Sequence, residues 1–495
     1  MALNIGNRRE PFWDDYLVDA ALTTAVQQVM QPIFKETLMW LDKPEDGQTI
    51  SYPTIVKVDD TYRMYYIAWG DTDWGVGKVR LCVIESRDGI NWTRPSLGQY
   101  EENGSTDNNI VLTGSLLEDN AFVFNDPNPA CPPEQKFKIL TSTHVEVDGK
   151  KKRGLWCLVS PDGYHFELSH LVTTYGAFDT NNTVHWDGKR YVAYVRNYHN
   201  IVSDQMSGHV DFNGISDISD FDVPWPDLNK GIRDIRVIYS EDFVHWTTPE
   251  PLQYADGQDF PMYTNQVIPY ERAPHILIGF PTRYCERKEW TPCFDQLPGA
   301  ASRQEIIQSA KAENREAFTV TSCLFMNSRD TLHWHRWREA FMAPGYEEEY
   351  NWVYGDGYPA YNLIDTGEGV YSMYSIDWHR AYGEPKPLNR WEIRKDGFAC
   401  YTAGADEKVL VTKPIIFEGS RLHLNFSGSA FGYIYVDLLD EKGDPTSGES
   451  FEVFGDTIDR EVFFSDGSDF SAYAGKPVRL RFRMSDVKLY SMKFE

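Results

Sequence analysis

Four copies of one turn motif recur along the chain: SRDGINW (86–92), SPDGYHF (160–166), SEDFVHW (240–246) and SRDTLHW (328–334). They share the pattern Ser-x-Asp-x-x-x-(Trp/Phe), and their starts are 74, 80 and 88 residues apart. A fifth, less regular copy, RKDGFAC, begins at Arg394. Self-similarity at such a spacing is the sequence signature of a repeat architecture, so this motif decides the fold.

The residue types of the motif indicate a structural turn. Asp and Gly favour tight turns, the Asp side chain accepts backbone N–H groups, and Gly89 and Gly163 permit a positive φ. We expect the aromatic residue that ends each copy to pack between neighbouring units. The aspartates of the motif are therefore interpreted as structural and not as catalytic acids.

Pairs of strand-forming segments lie between the turns, with alternating polarity and many β-branched or aromatic residues. These pairs are 54–58 with 62–68, 121–124 with 137–141, 183–186 with 191–196, 266–270 with 275–280, and 360–364 with 370–376. A further strand leads from each pair towards a turn, and units of four antiparallel strands are propeller blades. The only good helical window is 303–314.

The composition changes near residue 400 to short strands separated by DG, KG and SG turns. Such a segment is typical of a β-sandwich. The predicted fold is therefore all-β, with a five-bladed β-propeller over residues 1–398 and a jelly-roll-like C-terminal β-sandwich over residues 399–495.

Charge and cysteine content exclude several classes of partner. The formal net charge is −26 over 495 residues, which disfavours nucleic acid and anionic membranes. The seven cysteines show no CxxC spacing, so neither a disulfide framework nor a metal site is predicted, and no cofactor is expected. Without an apolar leader or a long apolar run, we expect a cytoplasmic location and no membrane partner.

The segments that lead into the first strand of each blade are the predicted site, because these strands line the central axis and their lead-in loops meet on one face. Acids stand in four of the five segments: Glu45 and Asp46, Glu118 and Asp119, Asp179, and Asp356. The fourth segment instead offers Tyr263 and Asn265, with Arg283 and Glu286 on the following strand.

Acids that meet in an aromatic-lined pocket suit glycoside hydrolysis, in which one carboxylic acid protonates the leaving oxygen and a second carboxylate acts at the anomeric carbon. The predicted catalytic residues are Glu45, Asp119 and Asp179. The predicted substrate-binding residues are His185, Arg196, Arg283, Glu286, Trp352 and Asp356.

The chain resembles the furanosidase-type superfamily that contains glycoside hydrolase families 43, 32, 62 and 68. The resemblance is carried by the blade layout and by FWDDYL (12–17), DPNP (126–129), DTNNTV (179–184) and RYVAYVR (190–196). It implies a base or nucleophile at Glu45 or Asp46, an orienting acid at Asp119 and a general acid at Asp179. The chain departs from the pattern in having Asp rather than Glu in the third blade.

Three functions are compatible with this pattern. The leading hypothesis is hydrolysis of a short oligosaccharide or glycoside. An inverting glycoside phosphorylase would need one acid and a phosphate cradle, for which Arg196 and Arg283 are the candidates. A non-catalytic glycan-binding propeller would bind carbohydrate without turnover. The sequence leaves open the sugar, the stereochemistry and whether the chain forms a homo-oligomer.

Overall fold

Strands dominate the computed structural model of the chain, which describes residues 2–70, 79–118, 120–199, 201–202, 209–210, 231–287, 289–308, 315–379, 381–446, 449–467 and 469–495. The α-helices of this part are Pro292–Gln296, Ala300–Gln308 and Arg315–Phe318, and short 3₁₀ turns are formed by Pro44–Asp46, Pro133–Gln135 and Ser471–Tyr473. The predicted all-β class is confirmed. No helix in the described ranges is long and apolar enough to cross a membrane.

The repeat units form five antiparallel sheets, which confirms the five-bladed propeller. Blade 1 comprises Thr49–Val58, Thr61–Trp69, Val79–Ser86 and Ile110–Thr113. Blade 2 comprises Phe122–Asn125, Phe137–Val147, Lys150–Ser160 and Glu167–Thr173. Blade 3 comprises Thr183–Trp186, Tyr191–His199, Ile232–Ser240 and Glu250–Pro251. Beside blade 3, the short strands Ile201–Val202 and His209–Val210 pair with each other.

Blades 4 and 5 are less regular. Blade 4 comprises Ile268–Pro269, Leu277–Gly279, Met326–Ser328 and His333–Arg336, with Gln253–Tyr254 added in parallel at its outer edge. A second hairpin, Thr282–Glu286 with Thr319–Cys323, continues its middle strands. Blade 5 comprises Ile364–Gly367, Val370–Ile376, Lys386–Arg394 and, as its outermost strand, Ile33–Leu41.

The strand Ile33–Leu41 closes the ring, because it comes from the N-terminal part of the chain and pairs antiparallel with Lys386–Arg394. Blade 5 is thus built from both ends of the propeller sequence. The pairing ties the first blade to the last through the backbone and covers a strand edge that would otherwise be open.

The Ser-x-Asp motif is confirmed as a structural turn. In its four regular copies the aspartate accepts hydrogen bonds, at 2.8–3.1 Å, from the backbone amides two and three residues ahead. The serine of the first copy, Ser86, accepts the amide of Gly89 at 2.9 Å. Every copy follows the third strand of its blade.

Each turn also receives a hydrogen bond from the neighbouring blade. The pairs, with the side-chain group first, are Tyr374 Oη and Gly89 O at 2.7 Å, Tyr65 Oη and Gly163 O at 3.0 Å, His170 Nε2 and Phe243 O at 2.8 Å, Tyr194 Oη and Thr331 O at 3.1 Å, and Tyr270 Oη and Asp396 Oδ1 at 2.6 Å. The repeated motif therefore joins every blade to the next.

The C-terminal strands form a separate nine-stranded sheet around the long strand Val478–Phe494. Its other strands from this part of the chain are Ala399–Ala403, Lys408–Val411, Ile415–Phe417, Leu422–Asp440 and Asp456–Glu461. Three N-terminal strands join it: Leu3–Gly6, Glu10–Pro11 and Val26–Val29. The predicted domain boundaries, 1–398 and 399–495, remain a prediction, and the sheet pairing adds that the N-terminal segment contributes strands to the C-terminal sheet.

The FWDDYL segment lies where the sandwich meets the propeller. The Trp13 ring makes edge contacts with Tyr270, Phe325 and Phe398 at centroid distances of 4.9–5.6 Å. Its neighbour Asp14 accepts a hydrogen bond from the Asn327 side chain at 2.6 Å. This segment therefore fastens the two parts of the chain together.

Candidate functional site

Antiparallel pairing brings three places in each blade to one face: the start of the first strand, the end of the second and the start of the third. In blade 3 these places hold Asp179, Arg196 and Arg233. In blade 5, Asp356 lies in the lead-in segment and His379 follows the second strand. The Ser-x-Asp turns follow third strands and so lie on the opposite face.

Asp179 is held by groups from blades 3 and 4. Its carboxylate forms an ion pair with Arg196 and accepts a hydrogen bond from the Tyr263 hydroxyl at 3.0 Å. Its backbone carbonyl accepts Arg196 Nη1 at 2.9 Å. The side chain is nevertheless 44% exposed, whereas Arg196 is 1% exposed. The carboxylate is therefore held in place by Arg196 and Tyr263 and is still accessible to a ligand.

Aromatic residues from several blades surround this acid. The hydroxyls of Tyr52 and Tyr263 lie 2.7 Å apart, and the Arg196 guanidinium stacks 4.6 Å from the Tyr263 ring centroid. Further ring contacts connect blade 3 to blades 4 and 5. We define the axial cluster as Tyr52, Asp179, Arg196, Tyr198, Arg233, Tyr263, Tyr284, Tyr354, Asp356, Tyr358 and His379, which these contacts join.

Asp356 is positioned by glycines on either side. A Cβ at Gly355 would lie 2.5 Å from the Thr321 backbone nitrogen, and one at Gly357 would lie 2.8 Å from the Cys323 nitrogen. Only glycine lets this segment run so close to blade 4. Asp356 Oδ1 accepts the His379 backbone amide at 3.2 Å, while Oδ2 is buried and has no hydrogen-bond partner among the described residues.

The electrostatic surroundings of Asp356 favour its protonated form. Burial and repulsion from the Asp377 carboxylate raise the pKa of Asp356 well above its ordinary value. Burial also raises the pKa of Asp377, to about 6, although Asn389 donates a hydrogen bond to it at 2.7 Å. Lys386 is the nearby cation that lowers the pKa of Asp356. Burial lowers the pKa of Lys386 itself to about 8, so its charge only partly offsets the rise in the pKa of Asp356.

Asp179 and Asp356 are thus two carboxyl groups in opposite environments. Arg196 favours the ionised form of Asp179, and burial favours the neutral form of Asp356. Two acids whose surroundings give them different pKa values commonly serve as the acid and the base of a catalytic site. The arrangement can donate a proton at one point and present a negative charge at another.

The backbone near these residues adopts uncommon conformations. Tyr52, Tyr354 and Trp378 have φ values of 56°, 63° and 64°. Non-glycine residues with positive φ are rare, and they persist where the surrounding structure holds them. Tyr52 and Tyr354 belong to the axial cluster and Trp378 precedes His379, so part of the backbone strain of the molecule lies at the candidate site.

The structure places the predicted site residues in different parts of the molecule. Asp179, Arg196 and Asp356 belong to the axial cluster. Asp119 lies outside the described residues; its neighbour Glu118 forms a 2.6 Å pair with His144 Nδ1. The assignment of Asp119 as a catalytic residue therefore stays a prediction.

Glu45 lies in the turn Pro44–Asp46, which packs against the second and third strands of blade 1. The adjacent Asp46 is fixed by Arg94 at 2.6 Å and by the Tyr66 hydroxyl at 2.6 Å. Burial raises the pKa of Glu45, which favours its protonated form relative to that of an exposed glutamate. No hydrogen bond, ion pair or ring contact between described residues links Glu45 to the axial cluster.

The remaining predicted substrate contacts lie away from the cluster. His185 is buried and stacks on Tyr194 at a centroid distance of 6.1 Å, and burial lowers its pKa to about 4, so it is a neutral core residue. Arg283 stacks on Phe260 at 4.3 Å and donates to the Arg338 carbonyl.

Glu286 and Trp352 do meet, but in a separate place. They line a cavity of about 830 Å³ beside the helices inserted in blade 4. Other lining residues are Arg287, Glu289, Phe294 and Glu347. In the parts of the chain that are described, no group of three or more His, Cys, Asp or Glu residues is arranged to hold a metal ion.

Sequence reasoning missed the roles of Tyr52, Tyr198, Arg233 and Tyr358. Tyr52 and Tyr358 stand in lead-in segments but are not acids, whereas Tyr198 and Arg233 lie on the second and third strands of blade 3. The alternation of strand direction gives a further signal. The ends of second strands and the starts of third strands lie on the same face of the propeller as the segments that lead into first strands. Applied to blade 3, this rule selects Arg196, Tyr198 and Arg233.

No protein-family model and no curated protein matches the chain. Among solved structures, it is similar to one described as a glycoside hydrolase, with 10% identity and a TM-score of 0.44 over 74% of this chain and 92% of that one. It is also similar to an N-acetylgalactosamine deacetylase from F. plautii (10% identity, TM-score 0.43, 77% and 97% covered). A third is the GH32 β-fructofuranosidase of Bombyx mori (9% identity, TM-score 0.40, 94% of each covered). The assignment of the fold rests on the chain's own sheets.

Proposed function

We propose that the protein is a glycoside hydrolase that cleaves a short oligosaccharide or glycoside at the axial cluster. The observation that carries the proposal is the contrast between Asp356, half-buried with one fully buried and unpartnered carboxyl oxygen, and Asp179, ion-paired and 44% exposed. Neighbouring tyrosines provide the flat, partly polar surfaces on which sugar rings stack.

In this proposal Asp356 is the general acid. Its proton passes to the glycosidic oxygen as the bond to the anomeric carbon breaks, and the bonding electrons leave with that oxygen. Asp179 acts at the anomeric carbon, either as a base that takes a proton from the attacking water or as the nucleophile. Arg196 and Tyr263 hold Asp179 in place by the contacts described above.

These roles differ from those implied by the family resemblance. There, Asp179 is the general acid and Glu45 or Asp46 is the base or nucleophile. The ion pair with Arg196 disfavours a protonated Asp179, and the contacts of Glu45 connect it to blade 1 rather than to Asp179. Glu45 remains a rival for the acid role, since burial raises its pKa too.

The test is product release from a panel of aryl furanosides and pyranosides by the wild type and Asp179→Asn. We expect at least one substrate to be cleaved, with the variant slowed about 100-fold or more, since positioned carboxylates contribute on that scale. Asp187→Asn, in the outer turn of the same blade, is the matched control. Failure to cleave any member of the panel, or an unchanged rate in Asp179→Asn, contradicts the proposal.

A further inference from the structure

Arg233 is a buried cation of the axial cluster that the proposed chemistry does not use. It begins the third strand of blade 3 and is 6% exposed. Its guanidinium stacks on the rings of Tyr284, Tyr198 and Tyr263 at 4.3, 5.4 and 5.7 Å from their centroids. Among the described residues, no carboxylate pairs with this guanidinium and no oxygen accepts a hydrogen bond from it. Its Nε atom is buried and has no partner there.

Three neighbouring cations among the described residues of blade 3 have acidic partners. Arg196 pairs with Asp179, and Arg236 pairs with Asp234 at 3.1 Å. His199 lies between Asp234 at 2.9 Å and Asp259 at 3.0 Å. These three acids are therefore already engaged, and the positive charge of Arg233 is left without a counter-ion among the described residues.

Such an arrangement is unfavourable unless something else completes it. A buried charge is normally paired, because removing it from water costs more than stacking on aromatic rings returns. The tyrosine rings contact the guanidinium through their π systems, which leaves the five N–H donors in the guanidinium plane to be satisfied by other groups. A planar oxyanion is the group that matches those donors, and Arg is the residue best suited to bind one.

We propose that Arg233 binds an oxyanion of the ligand in the axial cluster, namely the carboxylate of an acidic sugar. The inference rests on the proposed function for the location of the substrate, and it adds the substrate class, a glycoside of a uronic acid. Free phosphate offers the same chemistry and would serve a phosphorolytic reaction instead, so the experiment separates the two sources.

The experiment compares acidic sugars with their neutral parents by isothermal titration calorimetry. The probes are D-glucuronate with D-glucose, D-galacturonate with D-galactose, and inorganic phosphate. They are titrated into the wild type, Arg233→Met and Arg233→Lys, with thermal unfolding curves to show that each variant is folded. Arg190→Met is the matched control, since that arginine stacks on Tyr239 at the outer turn of the same blade.

We expect at least one uronate to bind the wild type about tenfold or more tightly than its neutral parent, as for a charge-assisted contact. Arg233→Met should abolish the difference, Arg233→Lys should keep part of it, and Arg190→Met should keep all of it. Phosphate binding that depends on Arg233 also supports the oxyanion site, and it assigns the anion to a co-substrate if phosphate accelerates cleavage. Equal affinity for acidic and neutral sugars without phosphate binding, or a preference that survives Arg233→Met, overturns the inference.

Hydrolysis assays on 4-nitrophenyl glucuronide and glucoside separate this inference from the proposed function. Cleavage of the neutral glycoside alone, with no effect of Arg233→Met, rejects the oxyanion site and leaves the hydrolase standing. Arg233-dependent binding of a uronate without cleavage of either glycoside supports the oxyanion site and rejects hydrolysis. Neither binding nor cleavage rejects both.

Discussion

At the scale of single residues, the central feature is that two aspartates of one face lie in different electrostatic environments. The sequence predicts Asp179 and Asp356 as site residues because both stand before the first strand of a blade. It does not predict these environments, because they depend on partners that only the fold brings into contact. Asp179 depends on Arg196 across a hairpin, and Asp356 depends on its burial and on Asp377 after the next strand pair.

The pH dependence of activity follows from the pair Asp356 and Asp377. Because the Asp377 charge helps to raise the pKa of Asp356, Asp377→Asn should lower that pKa. The alkaline limb of the kcat/KM profile should then move to lower pH, since the acid form is lost earlier. Asp365→Asn, in the same blade and paired with Lys395, should leave the limb in place. An alkaline limb that does not move in Asp377→Asn argues against Asp356 as the acid.

The stability of the protein should depend on His199. Its hydrogen bond to Asp234 comes first among the causes that raise the pKa of His199 to about 9 in the folded state. An imidazolium with a raised folded pKa contributes stability that is complete below the unfolded value of about 6.5 and is lost as the pH rises towards 9. Chemical denaturation from pH 6 to 9 should show a loss of about 1–2 kcal/mol in the wild type, with solvent screening allowed for. His199→Gln should remove that slope; a variant with the wild-type slope contradicts the assignment.

At the scale of elements, the Ser-x-Asp turn is the part that sequence predicts best. Its hydrogen bonds are local, within three residues, so Asp88 or Asp162 can be interpreted from its neighbours alone. The closing strand Ile33–Leu41 was not predicted, because its partner lies about 350 residues away and no local pattern marks that pairing. The hydrogen bond from Tyr374 to Gly89 is of the same non-local kind.

Substitution of one glycine in a Ser-x-Asp turn, Gly89, and of one in an ordinary hairpin turn, Gly188, separates the backbone effect from the effect on the blade interface. Gly89 and Gly188 both have positive φ, 73° and 94°. A Cβ at Gly89 would lie 2.7 Å from the Tyr374 hydroxyl, whereas one at Gly188 meets nothing within 4 Å. Gly188→Ala should cost about 1 kcal/mol of unfolding free energy for the backbone alone, and Gly89→Ala about 2–4 kcal/mol. Equal losses would mean that the turn does not contribute to the blade interface.

At the scale of the whole molecule, a buried hydrogen-bond network around Asp396 joins the propeller and the sandwich. Asp396, in the fifth copy of the turn motif, accepts hydrogen bonds from Tyr270, Arg272, Ser491 and Asn425 at 2.6–3.0 Å. The sequence marks this copy as irregular without indicating why. The structure gives the reason, since this carboxylate bonds to residues of blade 4 and of the C-terminal sheet.

Removing this carboxylate should destabilise the whole chain. Asp396→Ala leaves Arg9 and Arg272 buried without their shared partner, so we expect a loss of about 3–5 kcal/mol. Asp406→Ala, an exposed acid of the C-terminal sheet region, should change stability by less than about 0.5 kcal/mol. Scanning calorimetry compares the two, and it should show the propeller and sandwich unfolding in separate steps in Asp396→Ala. An unfolding curve of Asp396→Ala equal to that of the wild type would contradict the proposed contribution of the Asp396 network to stability.

The measurement that tests the central claim most directly is the dependence of rate on the leaving group in Asp356→Asn and Glu45→Gln. Loss of a general acid slows departure of a poor leaving group far more than that of 2,4-dinitrophenolate, which needs no proton. For Asp356→Asn we predict a loss of about 100-fold or more on alkyl glycosides and a much smaller loss on 2,4-dinitrophenyl glycosides, with Glu45→Gln close to the wild type on both. The opposite pattern, with Glu45→Gln sensitive to the leaving group and Asp356→Asn unaffected, would contradict the account.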